Sequence, residues 1–198
     1  LNNNTRTNVT GVAVTYPSIR NIEVEHGRFF KESETERMSR VVVLGSETAA
    51  NLEFTEENIG ESIKVKGIRF TVIGILKEKG GGGRFNQDDQ AMAPYTTAMN
   101  ILFGLDSLGS IDVQAVEGTD MSVVENNIEE LLRERHDIEN PEDDDFRVFN
   151  QADIIETASD FSKTFTFLLG GIAIISLLVG GIGIMNIMLV TVTERTRE

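Results

Sequence analysis

From Thr164 to Thr193 the chain carries no charged residue, a run of thirty positions. As an α-helix this run is about 45 Å long, against a hydrocarbon thickness of roughly 30 Å. Its centre, FLLGGIAIISLLVGGIGIMNIMLV, is rich in Ile, Leu and Val and contains no proline. A buried core helix of a soluble protein is the plainer alternative. Such helices seldom run so long without a charge, and the remaining residues are too few to enclose it on all sides. A signal peptide is excluded because the segment is C-terminal and too long. A removable lipid-anchor signal ends apolar, whereas this chain ends Glu194-Arg195-Thr196-Arg197-Glu198. The sequence therefore predicts a transmembrane helix over 164–193.

Charge separates this segment from the rest. The 198 residues include 32 acidic and 18 basic side chains, a formal net charge of −14, and the last five positions net zero, so the whole excess lies on residues 1–163. That balance argues against nucleic acid, because phosphate binding needs clustered Lys and Arg to release counterions. With no cysteine there is no disulfide framework, thiolate metal site or cysteine nucleophile.

Within the apolar run, Ala173, Ser176, Gly180 and Gly183 recur at spacings of three and four, and Asn186 continues them. Small residues on one helix face let two backbones approach closely in lipid. Asn186 is costly there unless hydrogen-bonded, so it is expected to face protein. The competing reading is that glycine is simply commoner in membrane helices. Gly180-Gly181-Ile182-Gly183 is no dinucleotide fingerprint, because no strand precedes it and it lies inside the apolar span.

Residues 1–163 read as an α+β domain. Val9–Tyr16 alternates as a strand that Pro17 stops, and Arg40–Leu44 is a short apolar run suited to a buried strand. Ser46 is placed to cap a helix through Leu52. Ser62–Val65 and Arg69–Leu76 alternate around Lys66-Gly67-Ile68, a hairpin signal, and Gly80–Gly83 reads as a flexible loop. Ala91–Pro94 reads as a strand leading into a helix over Tyr95–Phe103, and Ser110–Val116 as a further strand. Val124, Ile128, Leu131 and Leu132 mark a helix over Met121–His136. Glu139–Asp145 is an acidic loop and Phe146–Phe149 a final strand. From Gln151, the residues Ile154, Ile155, Ala158, Phe161 and Phe165 hold helical spacing straight into the apolar run, with no Gly or Pro before Leu169. One continuous helix is expected to leave the domain and enter the bilayer. The expected division is a water-exposed domain over 1–150, a stalk over 151–163, the span over 164–193 and a short charged segment over 194–198.

No catalytic constellation emerges. His26 and His136 are far apart and lack partners at metal-ligand spacing. Asp143-Asp144-Asp145 lacks the glycine and terminal glutamate of a calcium loop. Leu44-Gly45-Ser46-Glu47-Thr48 lacks the second glycine of a nucleophile elbow. Gly80–Gly83 is followed by no Lys-Ser/Thr, so it is no phosphate loop. No catalytic, cofactor or metal residue is assigned.

The segment from Gly180 to Glu198, GGIGIMNIMLVTVTERTRE, resembles the second membrane helix and following cytoplasmic turn of MacB-type ABC transporter permeases. Upstream, Arg20-Asn-Ile, His26-Gly-Arg-Phe-Phe30, Arg40-Val-Val-Val-Leu-Gly-Ser46, Asn58-Ile-Gly60 and Phe70-Thr-Val-Ile-Gly-Ile-Leu76 are similar to that family's extracytoplasmic core domain. The resemblance covers nearly the whole chain in the family's order. It implies a permease with four spans that works as a dimer, with ATP hydrolysed in a separate nucleotide-binding domain or subunit. Motion relayed through the membrane helices to the outer domain, or mechanotransmission, then moves a substrate outside the inner membrane. It also implies that this chain is a piece of such a permease, cut inside the outer domain and just after span two. By the same resemblance, Glu194, Arg195, Thr196, Arg197 and Glu198 open the segment that couples to the ATPase; a plain membrane-flanking charge cluster is the other reading. Expected partners are the ATPase, a second permease copy, membrane lipid and an extracytoplasmic adaptor. The alternatives are an FtsX-like regulatory permease, which activates an outside partner without transport, and a plain membrane-anchored binding domain. The small-residue face and the charged end disfavour the last.

Overall fold

The computed structural model describes residues 3–80 and 86–196. Six strands form one mixed sheet: β1 (Asn8–Val12), β2 (Val24–Gly27), β3 (Val41–Leu44), β4 (Ser62–Val65), β5 (Ile68–Leu76) and β6 (Gln90–Pro94). The order is β1-β6-β3-β5-β2, with β4 also paired to β5. β5 is nine residues long, so its first half pairs β4 and its last three residues pair β2, both antiparallel. On its other edge β5 pairs β3 in parallel, and β1 pairs β6 in parallel. Among the described residues six α-helices accompany the strands: α1 (Tyr16–Arg20), α2 (Glu32–Glu36), α3 (Ser46–Asn51), α4 (Tyr95–Thr97), α5 (Met121–His136) and α6 (Gln151–Arg195).

Strand alternation sends side chains to opposite faces, and both faces of the sheet are covered. Val42, Leu44, Phe70 and Val72 belong to one core with Ala49 and Phe54, while Val43, Met92 and Leu76 join Val12 and Phe30 in another. A bulge explains why Val72 and Ile75 share a core despite their odd spacing. Val42 pairs Val72 and Val43 pairs Gly74, so β5 gains one residue against β3 and the parity of its faces inverts. The hairpin turn has two residues, Lys66 (φ 48°) and Gly67 (φ 82°), both left-handed, which matches the twist of the flanking strands.

The chain divides into two units, Leu1–Gln114 and Ala115–Glu198. The first holds the sheet with α1–α4; the second holds α5 and α6. The α+β fold with a long terminal helix agrees with the sequence, but several boundaries need correction. β1 ends at Val12, four residues short of Tyr16, and Pro17 opens α1 instead of stopping a strand, because proline's missing N–H costs nothing in a first helical turn. Gly45, not Ser46, is the N-cap of α3. Beyond Thr97 the helix of 95–103 widens to π geometry over Ala98–Phe103, ending at left-handed Gly104. Neither Ser110–Val116 nor Phe146–Phe149 forms a strand: Ile111, Val113, Val116 and Phe149 are exposed, and no neighbouring strand supplies the ladder their alternation would need. Gly80 is described with φ 70°, while Gly81–Gly83 lie outside the described residues.

Candidate functional site

α6 carries the candidate residues Ala173, Ser176, Gly180, Gly183 and Asn186 and the first two of the charged end, Glu194 and Arg195. Asn150 caps it, its side-chain oxygen accepting the Ala152 N–H at 2.9 Å. The helix then runs unbroken for 45 residues, about 67 Å at 1.5 Å per residue. Its most apolar stretch is long enough to cross a bilayer, and none of it is buried among the described residues. Hydroxyls that would be orphaned in lipid are satisfied within the helix: Thr166 donates to Ser162 O, Thr191 to Ile187 O and Thr193 to Leu189 O, at 2.9–3.0 Å. Such back-bonding lets threonine sit in an apolar span. Just before the uncharged run Lys163 pairs Asp160 at 2.9 Å, and the Phe161 and Phe165 rings meet at a tilt of 56° with centroids 5.1 Å apart. Aromatic and snorkelling cationic side chains suit a membrane–water boundary.

At 100° per residue, Ala173, Ser176, Gly180, Gly183 and Asn186 fall within an arc of about 140°. All five are exposed, and the space around the Gly180 and Gly183 α-carbons is open. The helix brings them to one face, and no second helix meets that face among the described residues. Of the charged end, Thr196 closes the helix with its hydroxyl donating to Val192 O at 2.9 Å. Glu194 and Arg195 are helical by backbone. Arg197 and Glu198 lie outside the described residues.

The approach to α6 is fixed by charge, a feature sequence reasoning missed. Asp120 caps α5, accepting from the Ser122 hydroxyl at 2.7 Å and its N–H at 3.0 Å, and these bonds lower the Asp120 pKa. Near the other end of α5, Arg133 forms a fork with Asp144, its Nη2 and Nε donating at 2.7 and 2.9 Å, and it also donates to Glu129 at 3.0 Å. The Arg133 hydrogen bonds hold Asp144 below the usual carboxylate range. His136 Nδ1 lies 2.7 Å from Asp145, and its ring meets Phe146 edge-on at 6.0 Å. Thus the acidic loop is pinned to α5 by its own carboxylates just before the chain enters α6. The only advance sign was Arg and His in the last turn of an acid-rich helix, with acids a few residues on.

In the sheet unit, Gly45 N donates to Gln90 O at 2.7 Å, while the N–H groups of Glu47 and Thr48 meet Asp88 O. The buried Asp88 carboxylate accepts from Lys79 N and Gly80 N, each at 3.0 Å, anchoring the glycine-rich loop at its base. Ser46 Oγ is enclosed with no hydrogen-bond partner among the described residues. Arg20 grips Asp112 with two bonds at 2.9 and 3.0 Å.

Comparison with known proteins supplies the family. The MacB-like periplasmic core domain matches residues 1–131. The chain belongs to that family. It is 45% identical over its whole length to the macrolide export ATP-binding/permease protein MacB of Bdellovibrio bacteriovorus, of which it covers 31%. It is 42% identical over 96% of its length to the protein of the same name from Marinobacter nauticus, covering 29% of it. The crystal structure of the periplasmic region of MacB from Actinobacillus actinomycetemcomitans superposes with a TM-score of 0.65 at 24% identity, over 79% of this chain and 67% of that one. The chain thus spans under a third of the length of these curated MacB relatives. The core domain and the apolar α6 mark a membrane protein with an extracytoplasmic segment.

Proposed function

We propose that this chain is the outer domain and second span of a MacB-like permease. In this reading it relays cytoplasmic ATP hydrolysis to the extracytoplasmic side and so moves a substrate outside the inner membrane. The unbroken, capped α6 carries the reading. A helix that starts in the extracytoplasmic stalk at 151 and continues through the bilayer to the charged end at 194–198 is a rigid strut, so displacement at one end appears at the other. The division proposed is an outer domain over 1–150, a stalk over 151–163, a span over 164–193 and the start of the cytoplasmic coupling segment at 194–198. ATP is hydrolysed in the nucleotide-binding domain or subunit that Glu194–Glu198 would meet. The Ala173, Ser176, Gly180, Gly183 and Asn186 face packs against another membrane helix, within the permease or in its second copy. The substrate class proposed is an amphiphile of the kind the relatives' names describe, a macrolide.

Uncoupling tests the proposal. In the longer protein reconstituted in vesicles, Gly-Pro-Gly inserted after Ser159 breaks the strut outside the bilayer. ATP hydrolysis is expected to persist while substrate movement stops. Unchanged transport by the inserted protein would refute the relay.

A further inference from the structure

A trench of about 940 Å³ runs along one side of the sheet unit, between residues 3–9 and the β4 edge. Among the described residues β4 pairs only β5, and no strand lies on its other edge. The register decides which backbone groups that edge offers. Val65 faces Ile68, Ile63 faces Phe70, and Val72 N donates to Glu61 O at 2.9 Å. In an antiparallel ladder, bonded and non-bonded pairs alternate. Residues 61, 63 and 65 therefore bond to β5, while the N–H and C=O of Ser62 and Lys64 point outward. Neither has a backbone partner among the described residues. Leu52 and Phe54 help form the trench floor.

Its charge runs against the rest of an acidic chain. Among the described residues, Arg6, Lys64 and Lys66 line the trench, with Glu61 the single acid. Lys64 stands directly opposite Arg69 in the hairpin, and like charges at facing positions repel. Neither is in an ion pair among the described residues. Lys66 is held at the mouth, its Nζ 4.3 Å above the Phe103 ring and 3.5 Å from Leu102 O.

We infer that the β4 edge binds an extended peptide segment whose side chains alternate between apolar and acidic. Strand addition satisfies the outward backbone groups of Ser62 and Lys64. The apolar side chains turn to the floor, and the acidic ones meet Lys64, Arg69 and Lys66 and relieve their repulsion. This surface lies in the sheet unit and does not depend on whether α6 relays motion.

The test uses the full chain in zwitterionic nanodiscs, with an acetylated, amidated pentapeptide alternating Glu and Val as probe. The expected result is slowed amide exchange at Ser62 and Lys64 and no change at Ile63 and Val65, which already donate to β5. A Lys–Val peptide and a backbone-methylated Glu–Val peptide should bind about tenfold or more weakly, and so should the probe to K64E protein. Equal binding of the three peptides, or binding without protection at Ser62 and Lys64, overturns the inference. So does protection at these two amides in the longer permease before any peptide is added, which would assign the edge to another segment of the same protein.

Discussion

Gly45 sits where β3 passes into α3, and a methyl group there has nowhere to go. A Cβ built on it lies 2.3 Å from Asp88 O, 2.9 Å from Asp88 C and 3.1 Å from Gln90 O. All three are backbone atoms, and Asp88 is itself fixed by its bonds to Lys79, Gly80, Glu47 and Thr48. Gly45→Ala must therefore part β3 from the chain entering β6. Overpacking of this kind costs about 1–3 kcal/mol. Stretching the Gly45–Gln90 bond and the two bonds to Asp88 O adds roughly 1 kcal/mol for each one lost. With two of these three bonds lost, the expected penalty is about 3–5 kcal/mol, a large share of the roughly 5–15 kcal/mol that holds a domain together. In the full chain in nanodiscs, amide exchange at Val42, Val43 and Met92 should accelerate roughly 10²- to 10⁴-fold. Gly109→Ala is the control, because nothing lies within 4 Å of its Cβ position, and its effect should stay within about 0.5 kcal/mol. Equal exchange in the two variants would refute the close-approach argument.

Three further outcomes are expected. Arg133→Gln removes the fork to Asp144 and the bond to Glu129, so amide exchange in 139–145 should rise while the sheet is unaffected; unchanged loop exchange would show that the ion pairs do not hold it. Glu34 has its pKa lowered chiefly by hydrogen bonds from Arg28 at 2.7 and 2.8 Å. Its contribution is therefore complete above the ordinary carboxylate pKa of about 4.3 and is lost as pH falls through the lower folded value, so an acid titration of R28Q protein should show a smaller loss of stability below about pH 4 than the parent. In the longer protein, Gly180→Leu should leave membrane abundance unchanged but abolish helix–helix cross-linking and transport, whereas Leu178→Ile should leave both intact; equal behaviour of the two would make the glycines incidental.

Where the sequence was legible, a single local cause was enough. The apolar alternation of 62–76 and the Lys66-Gly67 turn specify the hairpin without outside help, and α5 ends at Met121 and His136 as its periodicity predicts. β2, α1 and α2 escaped because each is four or five residues long, and β2 is a strand only by pairing the last residues of β5. The alternation of Ser110–Val116 is real, yet alternation records a preference for a half-buried ladder and does not supply the neighbour. On α6 the small-residue face was readable from spacing alone. The fork of Arg133 onto Asp144 was not, because a pairing across eleven residues depends on a loop conformation that no periodicity encodes.

The central claim is that α6 leaves an extracytoplasmic domain and crosses the bilayer as one helix. Residues 1–198 contain no cysteine, so once any cysteine elsewhere in the longer protein is replaced, single-cysteine accessibility reads each position without background. In cells producing the longer protein, a membrane-impermeant maleimide added outside the inner membrane should label cysteine placed at 155 or 158. It should fail along 170–188, and reach 196 only after the membrane is opened. Labelling of 155 and 196 from the same side in sealed membranes, or steady labelling through 170–188, would contradict the account.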